Sequence, residues 1–503
     1  MATGRTPVLV GVGQVTNHWM PNDGLATAPS PTSLCVQASE RALADAGITA
    51  AQIEMLAVAR TIADSTPRPR HPFGVNSNPP GTIARALSAT PRHATYEIAG
   101  GHSSQKLANE MASRIYDGEF DCALITGAEA IKAAKSAAAQ GMTLDWADSS
   151  DMPFEDRGPG AMLLSRTEIK HGLVVPAFFY AIFENILARE WGETRSQHRR
   201  SMSELFAKFA AIADKNPDSQ FETKFDVDFL ATPSRQNYPF ADPFLKWHMA
   251  QDAVSQSAAI VMMSENKADA LGIAREKRVY LHGMGEATDD NISERPHLDR
   301  SWAMQTALDR ALSQADCRQQ DIDVFDLYSC FPCAVFSAMA ALGLRHETEN
   351  RALTVTGGLP FFGGPGNNYS LHAIVSMAAR LRASPGQTGL VLANGGWMTK
   401  EAVGIWSTNK PESFQPVAAF ATPPEHVEID PDPREGILES FTVTHGREGP
   451  EKGIIFARSR DGRRFLGNVT GDALAPLMQE ASPIGRRVSA QQTDEVNTIS
   501  FVD

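Results

Sequence analysis

The chain is poor in cysteine, with five in 503 residues: Cys35, Cys122, Cys317, Cys330 and Cys333. An odd, low number without secreted-scaffold spacing excludes a disulfide framework and predicts a reducing compartment, the cytoplasm. The cysteines are too isolated to supply a zinc set, so no metal is expected. No apolar run approaches the roughly eighteen residues of a membrane span. The opening MATGRTPVLVGVGQ has one early arginine and a short apolar run broken by glycine, which predicts no signal peptide. Positive charge is scarce too. Against 59 Asp and Glu stand 46 Lys and Arg, a net charge of −13, and the densest basic spot, His198–Ser201, is short. Such a surface repels phosphate backbones, so no nucleic-acid partner is expected.

What is present is a repeat. The length suggests more than one domain, and the 42% apolar and 21% charged residues are those of a globular protein. Residues 40–56, ERALADAGITAAQIEML, match residues 309–325, DRALSQADCRQQDIDVF. Arg41, Ala42, Leu43, Ala46 and Ile53 meet Arg310, Ala311, Leu312, Ala315 and Ile322. Each copy reads as a helix, a polar turn and a strand. Before each lies a strand running into glycine, PVLVGVGQ at 7–14 and VYLHGMGE at 279–286. After each comes a glycine-rich loop, a helix and a strand, with Met111 and Arg114 meeting Met377 and Arg380. Strands alternating with helices argue an α/β fold in two similar halves, with a site at their junction as the default expectation.

An insertion over about 130–250 has helical apolar spacing, as in FFYAIFENILAREW and SMSELFAKFAAIADK, and reads as a cap over that junction. The last ninety residues or so are strand-like, with RDGRR at 460–464 as a hairpin signal, and suggest a small β-barrel.

Five stretches carry candidate chemistry. GVGQVT at 11–16 lacks the third glycine of a dinucleotide fingerprint and reads as a strand ending in glycines. GGHSSQ at 100–105 opens a helix whose free N–H groups favour negative charge; Ser103 or Ser104 is a possible cap, and the positive helix end would keep His102 neutral. GGPGNNYS at 363–370 and ANGGW at 393–397 are tight turns or backbone oxyanion holes. YSCFPC at 328–333 admits a redox pair at a helix start, a zinc half-site or buried packing, the last being the common case.

Together the duplicated halves, the helical insertion and these loops resemble the thiolase superfamily over about residues 5–410, nearest the sterol-carrier-protein-type thiolases. The resemblance implies a duplicated five-layered α/β fold (α-β-α-β-α). Its N-terminal half spans 1–270 and includes the cap, its C-terminal half spans 271–412, and an OB-like barrel spans 413–503. It implies coenzyme A thioesters as substrate or ligand, with no further cofactor. The family's nucleophilic cysteine falls at His102 in HSSQKLA. The histidine of its H-D-C-F motif falls at Tyr328 in YSCF, where Cys330 and Phe331 are kept. The histidine of G-H-P falls at Gly364, and the cysteine of C-x-G-G at Ala393.

All four reactive side chains are thus replaced, and ordinary thiolase activity is expected to be lost. The candidate reactive residues are then Tyr328, His102, Tyr369 and Cys330, with Gly364, Asn394 and Gly395 lining the loops. Some thiolase-like relatives use tyrosines for retro-aldol cleavage, and a non-catalytic acyl-CoA or lipid binder is the other alternative. Arg199, Arg200 and Lys246 are candidates for the coenzyme A phosphates, or else exposed helix charges. The tail, Pro411–Asp503, holds 15 acidic against nine basic residues, which argues for packing or pocket shaping over nucleic-acid binding. A homodimer is the family expectation, and a monomer follows if the fused tail covers that surface.

Overall fold

The computed structural model describes residues 4–66, 71–161 and 163–502. The N-terminal half runs β1 (Pro7–Thr16), α1 (Pro31–Ala46), β2 (Met55–Val58), α2 (Pro79–Leu87), β3 (His93–Tyr96), α3 (Ser103–Asp117) and β4 (Cys122–Ala130). A long excursion follows. It holds α4 (Ile131–Ala139), β5 (Glu155–Asp156), α5 (Arg166–Lys170), α6 (Pro176–Glu190), α7 (Arg195–Ala213), α8 (Val227–Ala231), β6 (Pro239–Ala241) and β7 (Phe244–Leu245). Then β8 (Ser255–Ser264) and α9 (Glu265–Ala270) close the half. The C-terminal half runs β9 (Val279–Thr288), α10 (Trp302–Gln314), β10 (Val324–Leu327), α11 (Pro332–Ala341), α12 (Tyr369–Ala383), β11 (Thr388–Gly395) and β12 (Lys400–Ser407).

The strands follow the order β10-β11-β12-β9-β1-β8-β4-β2-β3-β5. Reading outward from the centre, β1-β8-β4-β2 mirrors β9-β12-β11-β10. The halves meet where Val8 and Leu9 of β1 pair antiparallel with Tyr280 and Val279 of β9. Helices α3 and α12 touch strands of both halves, α1 packs on β1 and β8, and α10 packs on β9 and β12. The result is five layers, α-β-α-β-α. Strands β4 and β8 are buried along their whole length, polar residues such as Thr126, Glu129 and Gln256 included, because helices pack on both of their faces.

The repeat is visible in contacts. Helix α1 is started by Ser30, whose side chain accepts from Ser33 N, and ended by Gly47 in the left-handed region. It lies so close to β1 that a Cβ on Gly11 or Gly13 would come 2.2 or 2.3 Å from the carbonyl oxygen of Ala42 or Ala38. In the second copy a Cβ on Gly283 or Gly285 would come 2.1 or 1.8 Å from the oxygen of Ala311 or Ala307. The glycines of GVGQ are therefore helix-packing residues. The repeated arginines do the same work: Arg41 donates to Gln14 O at 2.6 Å and Arg310 to Glu286 O at 3.1 Å. The central helices are cross-braced in like fashion. Ser104 Oγ donates to Asn367 O at 2.9 Å and Ser370 Oγ to Gly101 O at 2.8 Å, a twofold-related pair.

Two local readings change. The segment that holds α6 reads as amphipathic, yet Phe179 to Ala188 are all buried, because α6 is packed between the C-terminal half and the tail. The cap is also not wholly helical, since β6 and β7 form a hairpin. That hairpin joins the tail: Ala241 pairs with Thr444 in β13 (Glu435–Gly446). The other tail strands are β14 (Gly449–Ser459), β15 (Arg464–Val469), β16 (Arg487–Thr493) and β17 (Val496–Phe501). They close a five-stranded ring, β13-β14-β15-β17-β16 and back to β13. Leu438, Ile455, Phe465 and Ile499 are among the side chains that fill it. Among the described residues no helix is long and apolar enough to cross a membrane.

Candidate functional site

The N-termini of α3 and α12 meet at the centre of the molecule, and His102 is the N-cap of α3. The ring of His102 is fully buried, and neither nitrogen has a hydrogen-bond partner. Such orphans are rare in folded proteins, and each costs about 1–3 kcal/mol. The imidazole is held well below its ordinary pKa, first by burial and then by Lys400 and Lys106. Burial, the first cause, favours the neutral ring. Ser103 and Ser104 do not cap α3. Their hydroxyls turn back to the carbonyls of Ile98 and Gly100 and across to Asn367.

Tyr328 follows the end of β10, and its side chain reaches the turn before His102. A Cβ on Gly101 would lie 2.2 Å from the Tyr328 hydroxyl and 2.4 Å from Asn394 O. A Cβ on Gly100 or Gly395 would lie 2.5 or 2.7 Å from His102 Nδ1. The glycines are thus what lets Tyr328 and His102 reach one turn. The Tyr328 hydroxyl has no hydrogen-bond partner among the described residues. Burial, then the neighbouring Cys330 and Glu401, raise its pKa well above the ordinary value, so it is a neutral donor.

The other candidates are more fully engaged. Tyr369 stands edge-on to Tyr328 with centroids 5.4 Å apart, and its hydroxyl bonds Thr356 Oγ1 at 2.6 Å and Asp326 Oδ1 at 3.2 Å. Asn394 donates to the Tyr180 hydroxyl at 3.1 Å and accepts from Met398 N at 3.2 Å. Gly364 N is used by Gln251 O at 2.9 Å. Asn367 is a brace, accepting from Gly100 N at 2.9 Å and donating to Arg60 O at 2.7 Å. The Cys330 thiol lies 3.9 Å from Asn394 Nδ2, and burial pushes its pKa to about 12. Cys333, in the first turn of α11, donates to Tyr180 O at 3.4 Å, and burial raises it well above the ordinary thiol. All five cysteines are free. Neither thiol of YSCFPC is poised to ionise, which argues against a redox pair.

Two members of the cluster escape the sequence reading. Tyr180 comes from α6 and stacks on Phe331 with centroids 4.4 Å apart. Glu401 in β12 is fully buried, both its oxygens lack partners, and burial raises its pKa far above a normal carboxyl. An acid at the head of the apolar run EAVGIW, in a buried strand, was a signal for it; nothing local marked Tyr180. Arg199, Arg200 and Lys246 lie on the excursion, and their charged and aromatic partners are outside this cluster. Arg199 is 3.9 Å from Asp242, Arg200 pairs with Glu204 and Asp228, and Lys246 lies over the Trp247 ring. No group of three or more His, Cys, Asp or Glu side chains suited to a metal occurs among the described residues.

Two mirrored halves enclosing α3 and α12, with loops converging on the α3 N-terminus, define the thiolase fold. An Ltp2-ChsH2(DUF35) aldolase structure shares it, with a TM-score of 0.58 at 17% identity over 82% of this chain and 100% of that one. The structure of a monomeric SCP2-thiolase like protein type 1 from Mycobacterium smegmatis matches far more fully, at 33% identity, 100% coverage of both chains and a TM-score of 0.83. Residues 415–495 match the family model of the thiolase-like protein type 1 additional C-terminal domain. The chain belongs to the SCP2-thiolase-like proteins of type 1. It is also 26% identical over 355 residues to sterol carrier protein 2 of Gallus gallus, covering 68% of this chain and spanning 57% of that longer protein.

Proposed function

We propose that the chain handles acyl-CoA thioesters without the cysteine nucleophile of a thiolase, using Tyr328 as its leading acid–base group beside a neutral His102. The carrying observation is His102 itself: an unpartnered imidazole at the helix N-terminus where a thiolase would keep its thiolate. The nearby thiol, Cys330, lies on the other side of the motif set and resists ionisation. Tyr328, Glu401 and Tyr180 are neutral donors suited to a thioester oxygen, and His102 is a neutral acceptor. That set fits retro-aldol cleavage of a 3-hydroxyacyl thioester. The hydroxyl proton passes to His102, the Cα–Cβ bond breaks to release a carbonyl product, and the enolate, its charge on the thioester oxygen held by the donors, takes a proton at Cα to leave the shortened acyl thioester.

Purified protein with acetoacetyl-CoA and free coenzyme A should give no thiolysis. Robust turnover that thiol alkylation abolishes would sink the proposal. In the lyase assay, Tyr328→Phe should lower turnover by about 10²–10⁴-fold, and an unaffected rate removes Tyr328 from the chemistry. A second reading, a non-catalytic thioester binder, is favoured by the near-complete burial of Tyr328 and His102. Saturable acyl-CoA binding with no turnover across a substrate panel selects it. For the tail, we read the ring of five strands as an OB-like module that braces the cap, consistent with its acidic balance.

A further inference from the structure

The internal twofold repeats the strand ends as well as the helices. Leu327 and Leu392 pair across β10 and β11, and the repeat carries them onto Val58 and Thr126, which pair across β2 and β4. The segment Tyr328–Phe331 therefore matches Ala59–Ile62, and Gly395 matches Glu129. In the C-terminal half this end is filled by Tyr328, Cys330 and Tyr180. In the N-terminal half it is a cavity of about 260 Å³.

The cavity walls are mainly apolar, including Cys35, Val58, Ile62, Ile83, Ala134 and Trp146. Its polar groups differ in how far they are satisfied. Tyr96 donates to Asp64 Oδ2 at 2.6 Å and accepts from Thr61 N at 3.1 Å, while His71 Nε2 stands 3.2 Å from Asp64 Oδ1. Glu129 is nearly fully buried. One of its oxygens accepts from Ile62 N at 2.6 Å, and the other has no partner among the described residues. Burial raises its pKa to about 8, so the carboxyl is mostly protonated and can donate at neutral pH. Lys135, the lysine of the lining, is paired with Asp252 at 2.9 Å, so an anionic head group would meet Asp64 and lose its hydration in an apolar wall. A 150 Å³ engineered cavity holds benzene, so this one has room for about ten non-hydrogen atoms.

We propose that the cavity between β2, β4, α1, α2 and α4 is a second ligand site, which binds a small, neutral, mainly apolar molecule through a hydroxyl or carbonyl on Glu129. It shares no lining residue with the Tyr328 cluster, so it stands whether or not the acyl-CoA reading does. The test titrates the full chain with 1-nonanol, 2-nonanone, nonane and nonanoate, read by calorimetry and by the fluorescence of Trp146 in the cavity wall. Saturable one-to-one binding is expected for nonanol and nonanone, with nonane and nonanoate weaker by about tenfold or more. Ala134→Phe fills the cavity and should weaken nonanol by about tenfold or more; Ile83→Phe is the second filling variant should the first not fold. No saturable binding, or equal binding in a folded filling variant, overturns the site. Nonane binding as tightly as nonanol overturns the role of Glu129.

Discussion

The two ends that the internal twofold makes equivalent have been furnished differently. At the ends of β10 and β11, tyrosines and a cysteine fill the space, and α6 brings Tyr180 from far away in sequence. At the ends of β2 and β4, small side chains (Ala59, Ala128 and Ala130 among them) leave a cavity beside Glu129. The asymmetry starts in the connections. Strands β11 and β12 are joined by a tight turn, whereas β4 and β8 are separated by the whole excursion. One half can therefore be covered by the other's insertion, and the reverse is impossible. Duplication supplied two comparable strand ends, and insertion decided which became a crowded cluster of neutral donors.

The comparison can be broken most forcefully at Glu129. Its carboxyl holds its proton more tightly when folded, near pH 8, than at the ordinary 4.5. Its contribution to stability is complete below about pH 4.5 and is lost as pH rises through about 8. Glu129→Gln should flatten the fall in stability between those limits by up to roughly 5 kcal/mol, measured by urea unfolding across pH. The matching residue of the other half, Gly395, has no side chain to titrate, and an unchanged pH profile in Glu129→Gln would place the Glu129 carboxyl in water.

Next in size are the paired glycines. Gly285→Ala and Gly13→Ala each push a Cβ into a carbonyl of the packed helix, and each should cost about 3 kcal/mol. A harmless Gly13→Ala beside a costly Gly285→Ala would show that α1 can yield where α10 cannot. Smallest are the cross-braces. Ser104→Ala and Ser370→Ala should each cost about 1 kcal/mol, and a gap above about 0.5 kcal/mol would break the twofold at the centre of the molecule.

Much of the architecture was legible because duplication doubles the signal. Arg41 and Arg310 match in sequence and then make the same bond to a strand carbonyl. His102 and Tyr328, singled out by resemblance, lie against the same turn. Tyr180 was not legible. Its segment reads as a cap helix, and nothing local says which of its faces meets Asn394. The β6–β7 hairpin was hidden for a similar reason: its short strands gain their partner only from the tail, at Thr444. The engagement of Tyr369 with Thr356 and Asp326 likewise depends on a loop that no periodicity describes.

The sequence by itself determined the two halves and the strand-rich tail, because helix and strand periodicities and glycine turns are local. Tertiary structure decided the state of the side chains. It buried His102 and left it unpartnered, kept Tyr328, Glu401 and both YSCFPC thiols neutral, and opened a cavity at one strand end while filling the other. Those outcomes depend on desolvation and packing between segments far apart in the chain, and no local pattern encodes which segments will meet.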